Sequence, residues 1–419
     1  MRIILTLFSL VLFSNSLFAQ PTEFLKSKTE GLLIGTLFGD ALGGPIEFQG
    51  HPEIQATPNP PKLWKAGEFI NDAELKAATN RIYLREYKHL RPVPEPYAHW
   101  SVNAMPGTVT DDSRHKIILL NFFKSSISIN KWPQTETDLA RSYLQWSKSN
   151  TIKTHSGYDT LVNQWLGESY KSIQWILGNR KIGEAYPPER LWNALPTCYG
   201  QMALPPVAAI YPGQAEKAYK AAYSLAWFEN GFAKDMIAAI VAGLAKGLSL
   251  DPKQHTDEQL WIDVINTMKN TDPYQYNQVP WSERAVNRWF RLVDELVDAS
   301  QGSPQKLFEL MDVEFKNTVK WEAQVPFVVI FSCVKICKYN PLAALQLSIE
   351  WGWDHDSYAQ LLGAFVGATY GPEIFKPEWK LAVENQLMKD YNESVADWIS
   401  TLTSLREVGK KRELFIPKK

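Results

Sequence analysis

The chain has 419 residues, and its 44 Lys and Arg residues nearly balance 45 Asp and Glu residues. The net charge of −1 gives no general attraction to nucleic acid or anionic lipid, so we expect no nucleic-acid partner. Three cysteines are too few for a disulfide framework, and the length suffices for one large domain or two ordinary ones.

The N-terminus has the pattern of a secretory signal peptide. Arg2 precedes an apolar run at residues 3–13, and a cut after Ala19 would release the mature chain. The −3 position is Leu17 rather than a small residue, which weakens the cleavage position more than the prediction of export. The run is too short and too polar at its end to predict a stable membrane span. We therefore expect a signal peptide at residues 1–19 and a periplasmic or secreted protein.

Helical periodicity dominates the rest of the chain, and alternating strand patterns are nearly absent. The β-branched apolar run at residues 327–337 is also compatible with a strand, but the residues that extend it and the lack of a partner strand favour a buried helix. The predicted helices cover residues 22–41, 115–123, 137–146, 158–177, 215–227, 233–250, 257–268, 281–297, 327–337 and 357–370. The sequence therefore predicts an all-α fold.

A proline-rich segment at residues 49–106 interrupts this pattern. It is predicted to be an irregular insertion that carries one helix near residues 72–88. It either covers a site and shapes access to it or is a surface loop without ligand contact, and both alternatives stay open. We assign residues 20–419 to one all-α domain that contains this insertion and ends in a frayed basic tail at residues 406–419.

Two acidic clusters stand at residues 110–113 and 354–357, and each is followed at once by an apolar, helix-periodic segment. Either cluster by itself is explained by helix capping, because Asp and Ser are favoured N-cap residues. If the two segments meet, their carboxylates and hydroxyls form an oxygen-rich pocket, in which like charges raise one another's pKa unless a cation lies between them. The pair therefore suggests a buried divalent ion and a catalytic centre.

Three segments taken together resemble the ADP-ribosylglycohydrolase family. Residues 35–48 (GTLFGDALGGPIEF) resemble its opening helix, and residues 107–113 (GTVTDDS) resemble its Thr-Asp-Asp-Thr metal motif. Residues 352–357 (GWDHDS) are similar to its Gly-Gly-Asp-x-Asp-Thr motif, and the Gly- and Ala-rich residues 363–371 follow as in the family. Residues 200–206 (GQMALPP) are similar, though less closely, to its central Gly-x-Met-Arg-x-x-Pro loop. The elements occur in family order and span nearly all of the mature chain.

The resemblance implies a single orthogonal bundle of helices around a central cleft with a dinuclear site for two divalent cations, Mg²⁺ or Mn²⁺. Hard carboxylate and hydroxyl oxygens suit both ions, which can fix vicinal sugar hydroxyls and lower the pKa of water. The general base would be Asp112 or Glu47, with Asp111 as a further catalytic candidate, although Glu47 is also compatible with a surface position. By matching position, the implied metal ligands are Thr110, Asp111, Asp112, Asp354, Asp356 and Ser357.

Three positions near these motifs are expected to contact substrate. Trp353 stands where the family has Gly, and its bulk could narrow the pocket or stack on a substrate ring. His355 stands where a small residue is usual, as an extra ligand, a proton donor or a packed neighbour. Met202 is followed by Ala203 instead of Arg, which removes an anchor for the diphosphate of ADP-ribose.

We therefore expect an exported, metal-dependent hydrolase that cleaves a bond at the anomeric carbon of a small-molecule or protein-linked sugar. ADP-ribosylglycohydrolase-like activity ranks first by a small margin. Hydrolysis of another carbohydrate, such as an oligosaccharide, is the alternative that export, the 16 Trp residues and the absent Arg favour. A catalytically silent sugar- or nucleotide-binding module is less favoured because the acidic residues are all present. A helical scaffold whose acidic clusters are only caps is the last alternative.

Overall fold

A computed structural model describes residues 22–47, 71–80, 82–85, 105–128, 135–146, 167–276 and 281–411. These residues form α- and 3₁₀-helices and no sheet, which confirms the predicted all-α fold. The α-helices are α1 (Thr22–Gly43), α2 (Asp72–Thr79), α3 (Asp111–Ser128), α4 (Glu136–Trp146), α5 (Gly167–Ile176), α6 (Tyr199–Ala203), α7 (Ala215–Leu225), α8 (Phe232–Gly247), α9 (Asp257–Asn270), α10 (Ala285–Ser300), α11 (Pro304–Glu314), α12 (Gln324–Ile336), α13 (Pro341–Ser348), α14 (His355–Tyr370), α15 (Pro377–Tyr391) and α16 (Val395–Lys411).

An antiparallel pair of helices, α1 and α14, positions the rest of the fold. A Cβ atom added at Gly35 would lie 2.0 Å from the carbonyl oxygen of Gly363, so only glycine lets the two backbones approach this closely. At the far end of α1, Gly43 lies against His355 in the same way. The C-terminal end of α1 is therefore next to the N-terminal end of α14.

The remaining core is built around this pair. Helices α3, α8, α12 and α13 each pack against α14, and α15 and α16 pack against α1. Helix α12 contains the β-branched run of uncertain type, and its residues are buried except Lys335. This confirms the prediction of a buried helix at that position.

Two predicted boundaries are corrected by the structure. The helix in the proline-rich insertion ends at Thr79 instead of near residue 88, and residues 82–85 are not helical. The physical reason is that Thr79 and Asn80 both favour helices poorly. The predicted tail also starts too early, since α16 extends to Lys411. Arg406 is buried there and donates a hydrogen bond to the carbonyl oxygen of Ala209 at 3.0 Å.

Helices α11, α13 and α15 are absent from the sequence-based prediction, and each begins at a proline. Proline stops a helix in its interior but is favoured in the first turn, where no N–H donor is needed. The signal peptide predicted at residues 1–19 and residues 158–166 of a predicted helix lie outside the described residues. Most of the insertion also lies outside them.

Candidate metal centre

The two acidic clusters both lie at helix N-termini, and they meet where α1 ends and α14 begins. Asp111 and Asp112 are the first residues of α3, and Asp356 lies in the first turn of α14. Carboxylate oxygens of Glu47, Asp354 and Asp356 lie within 4.8 Å of one another, and so do those of Asp111, Asp112 and Asp356. Asp356 belongs to both groups, so the five side chains form one carboxylate cluster.

Burial of this carboxylate cluster makes ionisation unfavourable. Burial is the largest cause that raises the pKa of Glu47, Asp112 and Asp356 well above their ordinary values, and the neighbouring carboxylates raise it further. Burial, together with the charge of Asp111, raises the pKa of Asp354 to about 7. At neutral pH the cluster must therefore retain protons or hold a cation.

Thr110 and Ser357 link the two halves of the cluster. The Thr110 side chain hydrogen-bonds to Asp356, and its Oγ1 accepts the backbone N–H of Asp112 at 3.2 Å. Ser357 Oγ donates to Asp112 Oδ2 at 3.4 Å. The structure thus brings together all six residues that the motif comparison implies as metal ligands.

Asp40, near the end of α1, holds the N-terminus of α3 in place. Its Oδ1 accepts the backbone N–H of Thr110 at 2.9 Å, and its Oδ2 accepts the backbone N–H of Ser113 at 3.0 Å and the Ser113 hydroxyl. A carboxylate at this position satisfies N–H groups that have no partner within the helix and interacts favourably with the helix dipole. The metal motifs do not single out Asp40, but a charged residue inside an apolar helix is a signal that could identify it.

A cavity of about 310 Å³ opens onto the carboxylate cluster. Met202, expected near the substrate, is among its lining residues. Several other lining residues carry no motif and come from distant parts of the chain, so no sequence signal points to them. The described lining consists of Glu47, Asp111, Asp112, Asp354, Ser357, Thr197, Cys198, His115, Tyr199, Met202, Trp192 and Trp321.

Trp353 and His355 are not among these lining residues. Trp353 is 39% exposed and has a φ of +76°, in the left-handed region that favours glycine, which explains why the family motif has Gly there. His355 is buried, and its Nδ1–H donates to the carbonyl oxygen of Trp353 at 3.0 Å. Burial lowers the pKa of His355 to about 3, so the imidazole is neutral in the physiological range.

The loop that begins at Thr197 forms part of the cavity wall, and hydrogen bonds to Glu229 hold it in place. The buried carboxylate of Glu229 accepts the Thr197 hydroxyl at 3.2 Å and the backbone N–H of Gly200. This anchoring sets Cys198 beside the cluster, with its Sγ 4.0 Å from Asp354 Oδ2 and 3.9 Å from Ser357 Oγ.

Comparison with known proteins identifies the family of this fold and site. A family model described as ADP-ribosylglycohydrolase matches residues 21–410. The chain belongs to the ADP-ribosylglycohydrolase family. A solved structure titled "ADP-ribosylglycohydrolase-related protein complex" is similar in fold, with a TM-score of 0.51 and 13% identity over 92% of this chain and 99% of that chain. No curated protein matches the sequence.

Membership of the ADP-ribosylglycohydrolase family confirms the resemblance carried by the three motifs. It supports a hydrolase that acts on glycosyl bonds. Members are generally metal-dependent, and the carboxylate cluster is a group of side chains able to bind a metal ion.

The donor atoms of the cluster fit a hard divalent cation. Oδ1 of Asp112 and Oδ1 of Asp356 are buried and have no hydrogen-bond partner among the described residues. A buried carboxylate oxygen without a donor is costly unless a cation compensates it. Since all the side chains of the cluster offer oxygen, Mg²⁺ or Mn²⁺ suits this set better than zinc or copper.

Proposed function

We propose that this protein is an exported, metal-dependent glycohydrolase that cleaves a bond at the anomeric carbon of a sugar. The observation that supports this most strongly is the convergence of five buried carboxylates from three separate chain segments beside a cavity. When bound, two divalent cations would hold vicinal sugar hydroxyls and increase the acidity of water. The residues proposed to hold them are Thr110, Asp111, Asp112, Asp354, Asp356 and Ser357.

Glu47 and Asp112 are the two candidates for the general base. Both line the cavity, and burial raises the pKa of both, which favours acceptance of a proton. One of them takes a proton from water while the water oxygen bonds to the anomeric carbon. The bond from that carbon to the leaving group breaks, and its electron pair passes to the leaving group. Asp111, at the start of α3, would help to orient the reacting groups.

Family precedent favours an ADP-ribosyl group as the substrate. Hydrolysis of another carbohydrate is the second candidate, and one specific position favours it. Ala203 follows Met202 where the family motif carries Arg, so this loop lacks the side chain that would bind a diphosphate through a pair of hydrogen bonds.

The proposal is tested by metal binding and turnover together. Calorimetric titration with Mn²⁺ should find about two sites per chain, and turnover should require Mg²⁺ or Mn²⁺. Asp111→Ala and Asp356→Ala should abolish turnover and weaken Mn²⁺ binding, whereas Asp298→Asn, on the exposed face of α10, should change neither. An unchanged kcat in either cluster variant would rule out the assignment.

The base and the ligands can be separated with isosteric variants. If Glu47 is the base, Glu47→Gln loses kcat but keeps the Mn²⁺ Kd, and Asp112→Asn, as a ligand, loses both. If Asp112 is the base, Asp112→Asn loses both kcat and Mn²⁺ affinity, whereas Glu47→Gln keeps kcat. If both variants keep the wild-type kcat and the wild-type Mn²⁺ affinity, the mechanism is refuted.

Export is proposed from residues 1–19 alone. Within the part of the chain that the structure describes, none of the helices combines the length and the apolar character needed to cross a bilayer. Expression with the native leader, followed by mass spectrometry of the periplasmic and medium fractions, should find Gln20 as the first residue. A chain that keeps Met1 in the cytoplasm would contradict export.

A further inference from the structure

The described lining of the cavity contains acidic side chains and one histidine, His115, whose pKa burial lowers well below its ordinary value, so the imidazole carries no charge at neutral pH. No Lys or Arg is among these lining residues. Lys116, which follows the acidic cluster on α3, is buried and donates to the backbone carbonyl oxygen of Asp112 at 3.0 Å, so its ammonium group is already engaged. A diphosphate group would therefore find no Lys or Arg side chain to pair with in this lining.

The same cavity presents two indole rings. Trp192 and Trp321 both line it, with their ring centroids 5.7 Å apart and an interplanar angle of 65°. Tyr199 and Met202 add further apolar surface. Aromatic faces of this kind bind the flat or apolar side of a ring through stacking and need no charge on the ligand.

The backbone around Trp192 is strained. At residues 192–194 the φ values are +52°, +57° and +65°, which non-glycine residues rarely adopt. Strain of this kind persists only where the surrounding structure enforces it, and it concentrates at functional sites. The chain that follows this segment is joined to the backbone of the second Trp, because the backbone N–H of Cys198 donates to the carbonyl oxygen of Trp321 at 3.0 Å.

We infer that the substrate is an uncharged glycoside, one ring of which stacks on Trp192 and Trp321, and that ADP-ribosyl groups are poor substrates. This inference rests on the proposed glycohydrolase function and narrows it to one class of substrate. A cavity of about 310 Å³ is near the lower end of the range for small-molecule sites, which suits one sugar and a compact ring. The ring that stacks on the indoles is either a planar aromatic leaving group or a second sugar ring, because both present an uncharged face.

The experiment compares three classes of substrate in the presence of Mn²⁺: uncharged nucleosides and aryl glycosides, neutral oligosaccharides, and ADP-ribosyl conjugates. We expect kcat/KM for at least one uncharged class to exceed that for the ADP-ribosyl conjugates by about tenfold or more, and the first two classes distinguish the ring types. Faster hydrolysis of ADP-ribosyl conjugates would overturn the inference and leave the glycohydrolase function intact. Absence of turnover in all three classes would overturn both.

Variants of Trp192 test the stacking directly. Trp192→Gly removes the indole and suits a positive φ, so the fold should be retained, and KM for the uncharged substrate should rise about two- to tenfold. Trp192→Phe keeps an aromatic ring and should restore most of the affinity. Trp281→Ala is the matched control, because Trp281 is 88% exposed and is not among the lining residues.

Calorimetric titration of the uncharged substrate into Glu47→Gln with Mn²⁺, a variant expected to keep the Mn²⁺ Kd and lose kcat, supplies a readout independent of turnover. In that background, addition of Trp192→Gly should weaken binding by the same factor. Equal affinity with and without the indole would refute the stacking role, whatever the ranking of the substrates.

Discussion

Removal of the charge at Asp354 should stabilise the metal-free protein at neutral pH. Burial raises the pKa of this carboxyl from 3.8 to about 7, a shift of about three units. Ionisation of Asp354 therefore costs more free energy in the folded state than in the unfolded chain. At about 1.4 kcal/mol per pH unit, the penalty is about 4 kcal/mol at pH 8. Because the folded state binds this proton more tightly than the unfolded chain, stability is lost as the pH rises from about 4 to about 7. Asp354→Asn should remove that loss.

Thermal unfolding in EDTA between pH 4 and pH 8 measures the effect. With an unfolding entropy of about 2.1 cal/mol/K per residue, about 4 kcal/mol in a chain of about 400 residues corresponds to a Tm increase of about 5 °C. We expect this increase for Asp354→Asn at pH 8 and almost none at pH 4. The exposed variant Asp298→Asn serves as the control. With Mn²⁺ the order should reverse, because a cation that binds only the native state stabilises the wild type more than a variant that lacks a ligand.

Two results would refute this reasoning. A lower Tm for Asp354→Asn than for the wild type in EDTA at pH 8 would mean that the buried charge does not oppose folding. Groups of the protein itself would then balance the negative charge of the carboxylates. The main electrostatic reason to expect a cation would be lost. A wild-type Tm that does not respond to Mn²⁺ or Mg²⁺ would argue against the metal centre itself.

Three further substitutions test how the cluster is held. Asp40→Asn should lower the free energy of unfolding by about 2 kcal/mol in urea, because an amide nitrogen cannot accept the Ser113 donors, and an unchanged value would show that α3 is not held there. Gly363→Ala places a Cβ 2.1 Å from the carbonyl oxygen of Gly35, so it should lower the free energy of unfolding by at least about 1–3 kcal/mol and weaken Mn²⁺ binding. A normal Tm together with a normal Mn²⁺ affinity would contradict the packing argument. Trp353→Gly relieves a left-handed φ and should keep or raise the Tm. Because Trp353 is not among the described lining residues, the ratio of kcat/KM between uncharged and ADP-ribosyl substrates should stay constant, and a changed ratio would place Trp353 at the substrate.

The sequence by itself was sufficient for the all-α class, the family and the grouping of the six implied ligands. Apolar periodicity and the adjacency of Asp to Thr or Ser are properties of short segments, so they can be identified without tertiary contacts. The same local reasoning missed three helices, because proline has opposite effects at different helix positions. Proline at the start of α11, α13 and α15 initiates a helix, although a proline inside a helical pattern would end it.

Only the tertiary structure decided which further side chains meet the six implied ligands. The close antiparallel contact of α1 with α14 brings Glu47 to Asp354 and Asp356, and no local pattern specifies that contact distance. Likewise, Trp192 and Trp321 are distant in sequence but line one cavity with their rings in contact. Burial and the mutual charge of the carboxylates, which set their pKa values, follow from this packing and are not properties of either motif in isolation.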